Sequence, residues 1–352
     1  MNQRRLPGVD LRVSELGFGA AGIGNLFAPI SDGDARASLD AAFAGGISYV
    51  DTAPFYGFGL SERRVGDALR GRRDVIISTK VGRLLKPDID VVESSERYGF
   101  VSPMPFSPHF DYTYDGVMRS WEQSLQRLGL ARIDVLYVHD IGERTHGAEN
   151  AGMMRQLTSG GGLRALEELR DAGEIAALGL GVNETAACFD VMAETQLDII
   201  LLAGRYTLLE QEAAEALLPA CGDAGIAVVI GGPYNSGILA TGTKSGYARY
   251  NYAAAPTAIL SRVAAIEAVA ERHGIPLAAA ALQFPLAHPA VISVVPGLAG
   301  PSQVAATIEL FATGIPDEFW ADLQELKLLQ GGVPLPRSGF WRTGFHGRSE
   351  SL

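Results

Sequence analysis

The sequence predicts a (β/α)₈ barrel, a TIM barrel in which eight parallel strands alternate with helices. Short runs rich in Val, Ile and Leu alternate with longer amphipathic stretches, and eight such strand–helix units can be counted. The predicted strands are ELGFGAA, ISYVDTA, DVIISTKV, IDVLYVHD, IAALGLGVN, LDIILLA, IAVVIGG and AVISVVPG. These runs are apolar on both faces, as strands are in a parallel sheet that helices cover.

The segments between these strands have the pattern of amphipathic helices. Several of them end on glycine, which supplies the left-handed residue that terminates a helix. A doubly wound sheet is the structural alternative, because Gly17, Gly19 and Gly22 have the G-x-G-x-x-G spacing of a dinucleotide-binding turn. Eight successive units favour the barrel. Predicted helices are DGDARASLDAAFAGG, LSERRVGDALRG, YTYDGVMRSWEQSLQRLG, GGLRALEELRDAG, AACFDVMAETQ, EAAEALLPACGDAG, PTAILSRVAAIEAVAERHG, SQVAATIELFATG and PDEFWADLQELKLLQ.

Two segments interrupt the alternation. Residues 83–111 follow the third predicted strand, are rich in proline, and are predicted to form a long irregular loop over the barrel mouth. The tail, residues 331–352, is rich in glycine and aromatic residues and is also predicted to be irregular. No linker divides the chain, so residues 1–352 are predicted to form a single domain.

Composition excludes several classes of function. The 352 residues carry 29 Lys and Arg against 40 Asp and Glu, a net charge of -11. Nucleic acids and anionic membranes need clustered positive charge, so neither is expected as a partner. The N-terminus lacks the apolar core of a signal peptide, and no apolar run is long enough to cross a bilayer. Cys188 and Cys221 lack CxxC spacing and are expected to be buried apolar residues, which suits a reducing cytoplasm.

Four polar residues stand where consecutive predicted strands end. Asp51 ends the second strand and Tyr56 lies on its loop, while Lys80 ends the third strand and His139 the fourth. In a barrel the active site lies at the carboxyl ends of the strands, so the four side chains are predicted to meet there. Each one alone has an ordinary structural explanation, but their conjunction at one rim predicts an active site.

These residue types suit proton transfer at a substrate oxygen. A free tyrosine is a weak acid with a pKa of about 10, and a neighbouring ammonium is expected to lower that pKa. Asp51 would hold Lys80, His139 would orient the substrate oxygen, and Tyr56 would act as the general acid or base. Proton exchange at oxygen pairs with hydride transfer at carbon, which requires a cofactor because no side chain carries hydride.

The sequence resembles the aldo-keto reductases. GISYVDTAPFYGFGLSERRVGDAL is similar to that family's Asp-x4-Tyr signature, VIISTKVG to its lysine strand, and IDVLYVHD to its histidine strand. The resemblance covers most of the chain and implies a catalytic tetrad of Asp51, Tyr56, Lys80 and His139. LLAGRYTLLEQ and GGPYNSGIL are most similar to a branch of sugar and pyridoxal dehydrogenases.

The resemblance also implies residues that bind a nicotinamide cofactor. Many members have Gly-Val-Ser-Asn after the fifth strand, where this chain has Asn183, and a glutamine after the sixth, where it has Ala203. The aromatic residue that often stacks on the nicotinamide is replaced by a stretch containing Tyr234, which either turns inward or leaves the stack unmade. The residues predicted to bind cofactor are Gly22, Asn183, Gly231, Gly232, Pro233, Gly237, Pro296, Gly297 and Gln303, and those predicted to bind substrate are Tyr56, His139, Arg205 and Trp341.

Residues 296–303, which follow the eighth strand, bear on the choice of cofactor. Family members that bind NADP often have an Arg or Lys there to meet the 2′-phosphate, whereas this chain has none. NAD is therefore predicted over NADP, and no metal is expected.

The predicted reaction is oxidation of the hemiacetal carbon of a cyclic substrate, an aldose such as L-fucose, to a lactone. Oxidation of pyridoxal to its lactone and a general aldehyde or ketone reductase are alternatives within the same chemistry. An aldolase with a Schiff base on Lys80 and a non-catalytic cofactor sensor are alternatives from other classes. The oligomeric state is not readable from the sequence, and a homo-oligomer stays open.

Overall fold

The computed structural model describes residues 1–92, 94–244, 246 and 248–337. Eight parallel strands form its central sheet, in the order in which they occur along the chain. We number them β1 (Phe18–Gly19), β2 (Tyr49–Asp51), β3 (Ile76–Val81), β4 (Val135–His139), β5 (Ala177–Val182), β6 (Ile199–Ala203), β7 (Ala227–Gly231) and β8 (Val291–Val295).

Two parallel bridges join the first and last strands of this sheet. Leu16 pairs with Val294, and Gly19 pairs with Gly297. A Cβ on Gly19 would lie 2.7 Å from the carbonyl oxygen of Pro296, so the close approach of these two segments requires glycine. The sheet therefore closes on itself, and the predicted (β/α)₈ barrel is confirmed.

Helices cover the outside of the barrel. The main ones are α1 (Asp32–Ala44), α2 (Leu60–Leu69), α3 (Tyr114–Leu128), α4 (Gly162–Asp171), α5 (Ala186–Met192), α6 (Leu217–Ala224), α7 (Thr257–Arg272), α8 (Pro301–Phe311) and α9 (Asp317–Glu325). The other α-helices are Glu143–His146, Asn150–Leu157, Ile238–Thr241 and Leu277–Gln283, and 3₁₀ turns are Gly22–Gly24, Tyr56–Gly59, Gly147–Glu149, Glu212–Ala214 and Phe284–Ala287.

The ends of these helices follow from local chemistry. The Ser31 hydroxyl accepts a hydrogen bond from Asp34 N at 3.0 Å at the start of α1, and Thr113 does the same for Gly116 N at 3.2 Å at the start of α3. Gly129 ends α3 with a φ of 62°, a left-handed conformation that favours glycine. The glycine that ends this predicted helix in the sequence is thus a real helix end in the structure.

A hairpin that the sequence analysis did not predict closes the lower end of the barrel. Its strands Gln3–Arg5 and Arg12–Ser14 pair antiparallel, and Leu6, Leu11 and Val13 join the apolar cluster inside the barrel. That cluster also contains Tyr49 and Tyr137, whose hydroxyls lie 2.9 Å apart. The interior below the strand ends is therefore packed with side chains.

The insertion after β3 is present as predicted but is more regular than expected. Arg83–Pro87 pairs antiparallel with Phe106–Phe110, and Glu96–Arg97 pairs with Phe100–Val101. We call residues 83–110 the hairpin arm. Its prolines interrupt the alternation of apolar and polar residues that identifies strands in a sequence, so the pairing was not visible there. The tail has no helix or strand over residues 331–337, and the rest of it lies outside the described residues.

Candidate active site

The barrel brings the four predicted catalytic residues together at one rim. Asp51 and His139 are the last residues of β2 and β4, and Lys80 lies one residue before the end of β3. These three strands are neighbours in the sheet. Tyr56 begins the 3₁₀ turn that follows β2.

Lys80 connects the acid to the phenol. Its ammonium nitrogen Nζ lies 2.7 Å from Asp51 Oδ2, 2.8 Å from the Thr52 carbonyl oxygen and 3.2 Å from the Tyr56 hydroxyl. Lys80 and Asp51 are both buried, at 1 % and 3 % exposed. The three contacts use all three N–H bonds of the ammonium, so its position is fixed between Asp51 and Tyr56.

The turn that carries Tyr56 depends on glycine. Gly57 has a φ of 63°, and a Cβ there would lie 2.4 Å from the carbonyl oxygen of Gly24. Phe58, the next residue, is also left-handed, with a φ of 53°. This tight double turn directs the Tyr56 hydroxyl to Lys80, and any larger residue at position 57 would displace it.

Burial governs the protonation of Asp51 and Tyr56. It raises the pKa of Asp51 above its ordinary value, although the charge of Lys80 acts in the opposite direction. Burial also raises the pKa of Tyr56 well above its ordinary value, and the charge of Asp51 adds to this effect. The expectation of a lowered Tyr56 pKa is therefore wrong, because desolvation of the phenolate is the largest influence.

His139 is a neutral imidazole in this setting. Burial holds its pKa well below the ordinary value, and the charges of Arg83 and Lys80 act in the same direction. The ring lies edge-on to Tyr56, with centroids 6.0 Å apart, and the Tyr112 hydroxyl donates a hydrogen bond to its carbonyl oxygen at 2.7 Å. Its Nδ1 is buried and has no hydrogen-bond partner among the described residues. A neutral ring can donate a hydrogen bond to a substrate oxygen without adding charge.

A cavity of about 660 Å³ opens above these residues. Aromatic side chains from the turn after β2 and from the hairpin arm make up much of its wall, and charged side chains are interspersed among them. Residues that line it include Phe27, Phe55, Tyr56, Lys80, Arg83, Tyr98, Phe100, His139, Asp140, Asn183, Arg205, Gly232 and Tyr252. A substrate ring placed here would meet apolar faces and a few charged groups, with the tetrad at the base.

Only some of the residues predicted to bind cofactor or substrate face this cavity. Of the predicted cofactor residues Asn183 and Gly232 do, and of the predicted substrate residues Tyr56, His139 and Arg205 do. Arg205 is 6 % exposed, and its guanidinium donates to the Asn183 carbonyl oxygen at 2.8 Å and to Asn251 Oδ1 at 3.0 Å. It is therefore held at the wall by neutral groups, which leaves its positive charge available to a ligand.

The other predicted cofactor residues lie in turns beyond the cavity wall. Gly22 packs against Leu298, since a Cβ there would meet the carbonyl oxygen of Leu298 at 2.8 Å. Gln303 accepts a hydrogen bond from Ala299 N at 2.7 Å at the start of α8. The remaining ones are Gly231, which ends β7, Pro233 and Gly237 in the turn after it, and Pro296 and Gly297 beside β1.

Of the two aromatic residues considered for ligand contacts, only Tyr234 belongs to the described residues. Tyr234 does not line the cavity: it packs against the core, and Thr307 of α8 lies near its hydroxyl. Its direction could not be read from a turn sequence. Trp341 lies outside the described residues.

Sequence reasoning missed Arg83 and Asp140, both of which line the cavity. They form an ion pair at its wall. Asp140 follows His139 directly, and Arg83 comes two residues after the end of β3. The rule that located the tetrad, polar residues just past a strand end, would have found them as well.

Three further features concern metal binding, membrane helices and the cysteines. Among the described residues, no group of three or more His, Cys, Asp or Glu side chains could hold a metal ion. Within the same part of the chain, no helix is long and apolar enough to cross a membrane. Cys188 and Cys221 are both free and buried, as predicted.

Comparison with known proteins gives the same family as the tetrad. Residues 15–328 match the Aldo/keto reductase family. The chain is 44 % identical to a pyridoxal 4-dehydrogenase of Microbacterium luteolum, over 93 % of this chain and 98 % of that protein. It is 41 % identical to a D-threo-aldose 1-dehydrogenase of a Pseudomonas species, over 91 % and 95 %.

A solved structure agrees with these sequence relatives. The holo form of an aldo-keto reductase from Bacillus halodurans superposes with a TM-score of 0.72 at 26 % identity, covering 97 % of this chain and 99 % of that one. A match over most of the length, two relatives above 40 % identity and the barrel lead to one conclusion. The chain belongs to the aldo/keto reductase family.

Proposed function

We propose that the protein is an NAD-dependent dehydrogenase that oxidises the hemiacetal carbon of a cyclic substrate to a lactone. The observation that carries the proposal is the position of Lys80 Nζ, 2.7 Å from Asp51 and 3.2 Å from the Tyr56 hydroxyl, at the base of a cavity large enough for a ring. The family is one of oxidoreductases, and its two curated relatives above are both named dehydrogenases.

Each residue of the tetrad has a defined task in this reaction. His139, neutral and buried, donates a hydrogen bond to the oxygen on the reacting carbon and orients it. In its phenolate form, which the ammonium of Lys80 stabilises, Tyr56 takes the proton of that hydroxyl and becomes a phenol. A nicotinamide cofactor held beside Tyr56 would supply the acceptor for the hydride that leaves this carbon, so that the C–OH becomes the lactone carbonyl. Asp51 keeps Lys80 in place throughout.

The wall beside Tyr56 fits a nicotinamide cofactor. Asn183 offers an amide with both a donor and an acceptor, and Arg205 offers a buried positive charge with neutral partners. Gly232 and Gly297 have no protein atom within 4 Å of where a Cβ would lie, so the backbone there is open to a ligand. We expect Asn183 to hold the nicotinamide amide and the glycine turns after β7 and β8 to border the rest of the cofactor.

The preference for NAD rests on residues 296–303. This segment contains no Lys or Arg. Its Ala299 N–H is already bonded to Gln303, and its Gly300 N–H is bonded to Ser38 Oγ at 2.8 Å. A 2′-phosphate in this turn would lack both a cation and these backbone donors.

Pyridoxal is the second candidate substrate. It is favoured by the 44 % identity to a pyridoxal 4-dehydrogenase and by the aromatic wall, which suits a flat ring as well as the C–H face of a sugar. An aldolase is disfavoured, because a Schiff base needs a free amine and Lys80 is engaged by three oxygens.

The test is a substrate screen with the purified full-length protein. NADH formation is followed with NAD and L-fucose, other aldoses or pyridoxal, and the product is identified by mass. The matched control is the methyl glycoside of the same aldose, which has no hydroxyl on the anomeric carbon and should give no NADH. Reduction of simple aldehydes with NADPH, and no oxidation of any hemiacetal, would contradict the proposal.

A further inference from the structure

The ion pair of Arg83 and Asp140 forms a fixed part of the cavity wall. Arg83 is 8 % exposed. Its guanidinium carbon lies 4.0 Å from the ring centre of Phe55 and 4.8 Å from that of Phe110. It donates to Asp140, and both residues line the cavity. A guanidinium held between two rings and a carboxylate has little freedom to move.

This pair retains unused hydrogen-bonding capacity. Arg83 Nε is buried and has no partner among the described residues. The guanidinium has five N–H donors and a carboxylate has about four acceptor sites, while the bond between Arg83 and Asp140 uses one of each. Burying unmet donors beside a cavity is costly unless a ligand or water meets them.

The ion pair also lies next to the catalytic tetrad on the cavity wall. The ring of His139 lies edge-on to Tyr56, and its Nε2 lies 3.5 Å from Asp140 Oδ2. The polar groups of the tetrad and of the ion pair therefore follow one another along the wall, in the order Tyr56, His139, Asp140 and Arg83. A ring with several oxygens can meet more than one of them.

The backbone of Asp140 supports this interpretation. Its φ is 50°, a left-handed conformation that is uncommon outside glycine and is best tolerated by Asn and Asp. Strained backbone of this kind occurs often at ligand sites. Here it directs the carboxylate to Arg83.

We infer that Asp140 and Arg83 bind the ring hydroxyls next to the reacting carbon and so select cyclic polyols. This inference rests on the proposed oxidation of a hemiacetal. With Tyr56 and His139 on the hydroxyl of carbon 1, Asp140 accepts from the hydroxyl of carbon 2 and Arg83 donates to the oxygen of carbon 3. The aromatic wall receives the C–H face of the ring.

The test compares kcat/KM for L-fucose and 2-deoxy-L-fucose. The deoxy sugar lacks the contact with Asp140, so the wild-type protein should prefer L-fucose. In the double variant Arg83→Met/Asp140→Asn the ratio of the two kcat/KM values should fall roughly ten- to a hundredfold, the effect of one hydrogen bond to a charged group. Changing both partners leaves no isolated buried charge, and Asn tolerates the left-handed backbone. Comparing ratios removes the intrinsic difference in reactivity between the sugars.

Arg97→Met is the matched control. Arg97 is also an arginine of the hairpin arm stacked on a ring, with its guanidinium carbon 4.4 Å from the centre of Phe58. It donates to the carbonyl oxygens of Met104 and Phe106, both at 2.8 Å, and does not line the cavity. If the variants acted only by disturbing the arm, Arg97→Met would change the ratio equally. We expect it to lower both rates together.

A second variant, Arg83→Lys, keeps the positive charge opposite Asp140 but loses the planar guanidinium, with its several N–H donors in fixed directions. It should stay folded and still lose preference for L-fucose over 3-deoxy-L-fucose. An unchanged ratio in folded Arg83→Lys and in the double variant would overturn the inference while leaving hemiacetal oxidation intact. If the wild-type protein oxidises pyridoxal and neither sugar, the proposed aldose substrate is wrong and this inference falls with it.

Discussion

Replacing Tyr56 by Phe should separate catalysis from stability. The change removes one oxygen, and among the described residues that oxygen makes a single hydrogen bond, to Lys80 Nζ at 3.2 Å. Lys80 keeps its bonds to Asp51 and Thr52. The folded state should therefore lose no more than about 1 kcal/mol, whereas loss of the general acid or base should lower kcat by roughly 10²- to 10⁴-fold.

Tyr49→Phe provides the comparison. Tyr49 is fully buried, and its hydroxyl contacts Ser78 Oγ at 3.0 Å and the Tyr137 hydroxyl at 2.9 Å. Removing it leaves the Tyr137 hydroxyl without that partner inside the barrel, which should cost about 1–3 kcal/mol of stability. The cavity and the tetrad keep their side chains, so kcat should change by less than about tenfold.

The assay combines initial rates of NADH formation with urea unfolding of both variants. The reasoning predicts opposite outcomes: Tyr56→Phe is stable and inactive, and Tyr49→Phe is less stable and active. If Tyr56→Phe keeps kcat within about tenfold of the wild type, then Tyr56 does not transfer the proton. If Tyr56→Phe loses as much stability as Tyr49→Phe, a low rate would reflect damage to the fold instead.

Three further outcomes are expected. Because the pKa of Tyr56 is raised well above its usual value of about 10, oxidation, which needs the phenolate, should speed up steadily with pH up to about pH 10, whereas the reverse reduction, which needs the phenol, should stay constant. Because the pKa of His139 is held well below its usual value, neither rate should show an inflection near pH 6.5, and an inflection there would contradict a neutral His139. Measured on one substrate, kcat/KM should favour NAD over NADP by roughly ten- to a hundredfold, and Ala299→Arg should narrow that gap; equal use of both cofactors would mean that a cation outside residues 296–303 meets the phosphate. Lys80→Met should lower the free energy of unfolding by about 3–5 kcal/mol because it leaves the Asp51 carboxylate buried without a cation, and adding Asp51→Asn should restore much of it, as urea midpoints will measure; no recovery would mean that Lys80 stabilises the fold through some other contact.

The sequence alone was sufficient for the barrel and for the location of the tetrad. Strands buried on both faces must be apolar throughout, so β2 to β8 are visible as runs of Val, Ile and Leu. A polar residue that ends such a run is equally visible, as with Asp51 and His139. Since parallel strands deliver their carboxyl ends to one rim, the strand order was enough to bring these side chains together.

Properties that depend on neighbours distant in sequence needed the tertiary structure. The strands of the hairpin arm can be recognised only from their pairing with each other. The prolines of the arm hide the alternation of apolar and polar residues that would identify these strands in the sequence. The ion pair of Arg83 and Asp140 joins residues 57 positions apart. No pattern within a short stretch of sequence indicates that these two residues pair.

Side-chain direction and protonation were also decided by the fold. Tyr234 lies in a turn from which either direction is open, and packing against α8 decides it. The pKa of Tyr56 depends on a balance between desolvation and nearby charge, and a sequence names the charges without their distances or their burial. Hence the sequence determined which groups reach the rim, because strand chemistry is local, whereas only the tertiary structure decided their partners, their directions and their charge states, because burial is a property of the whole fold.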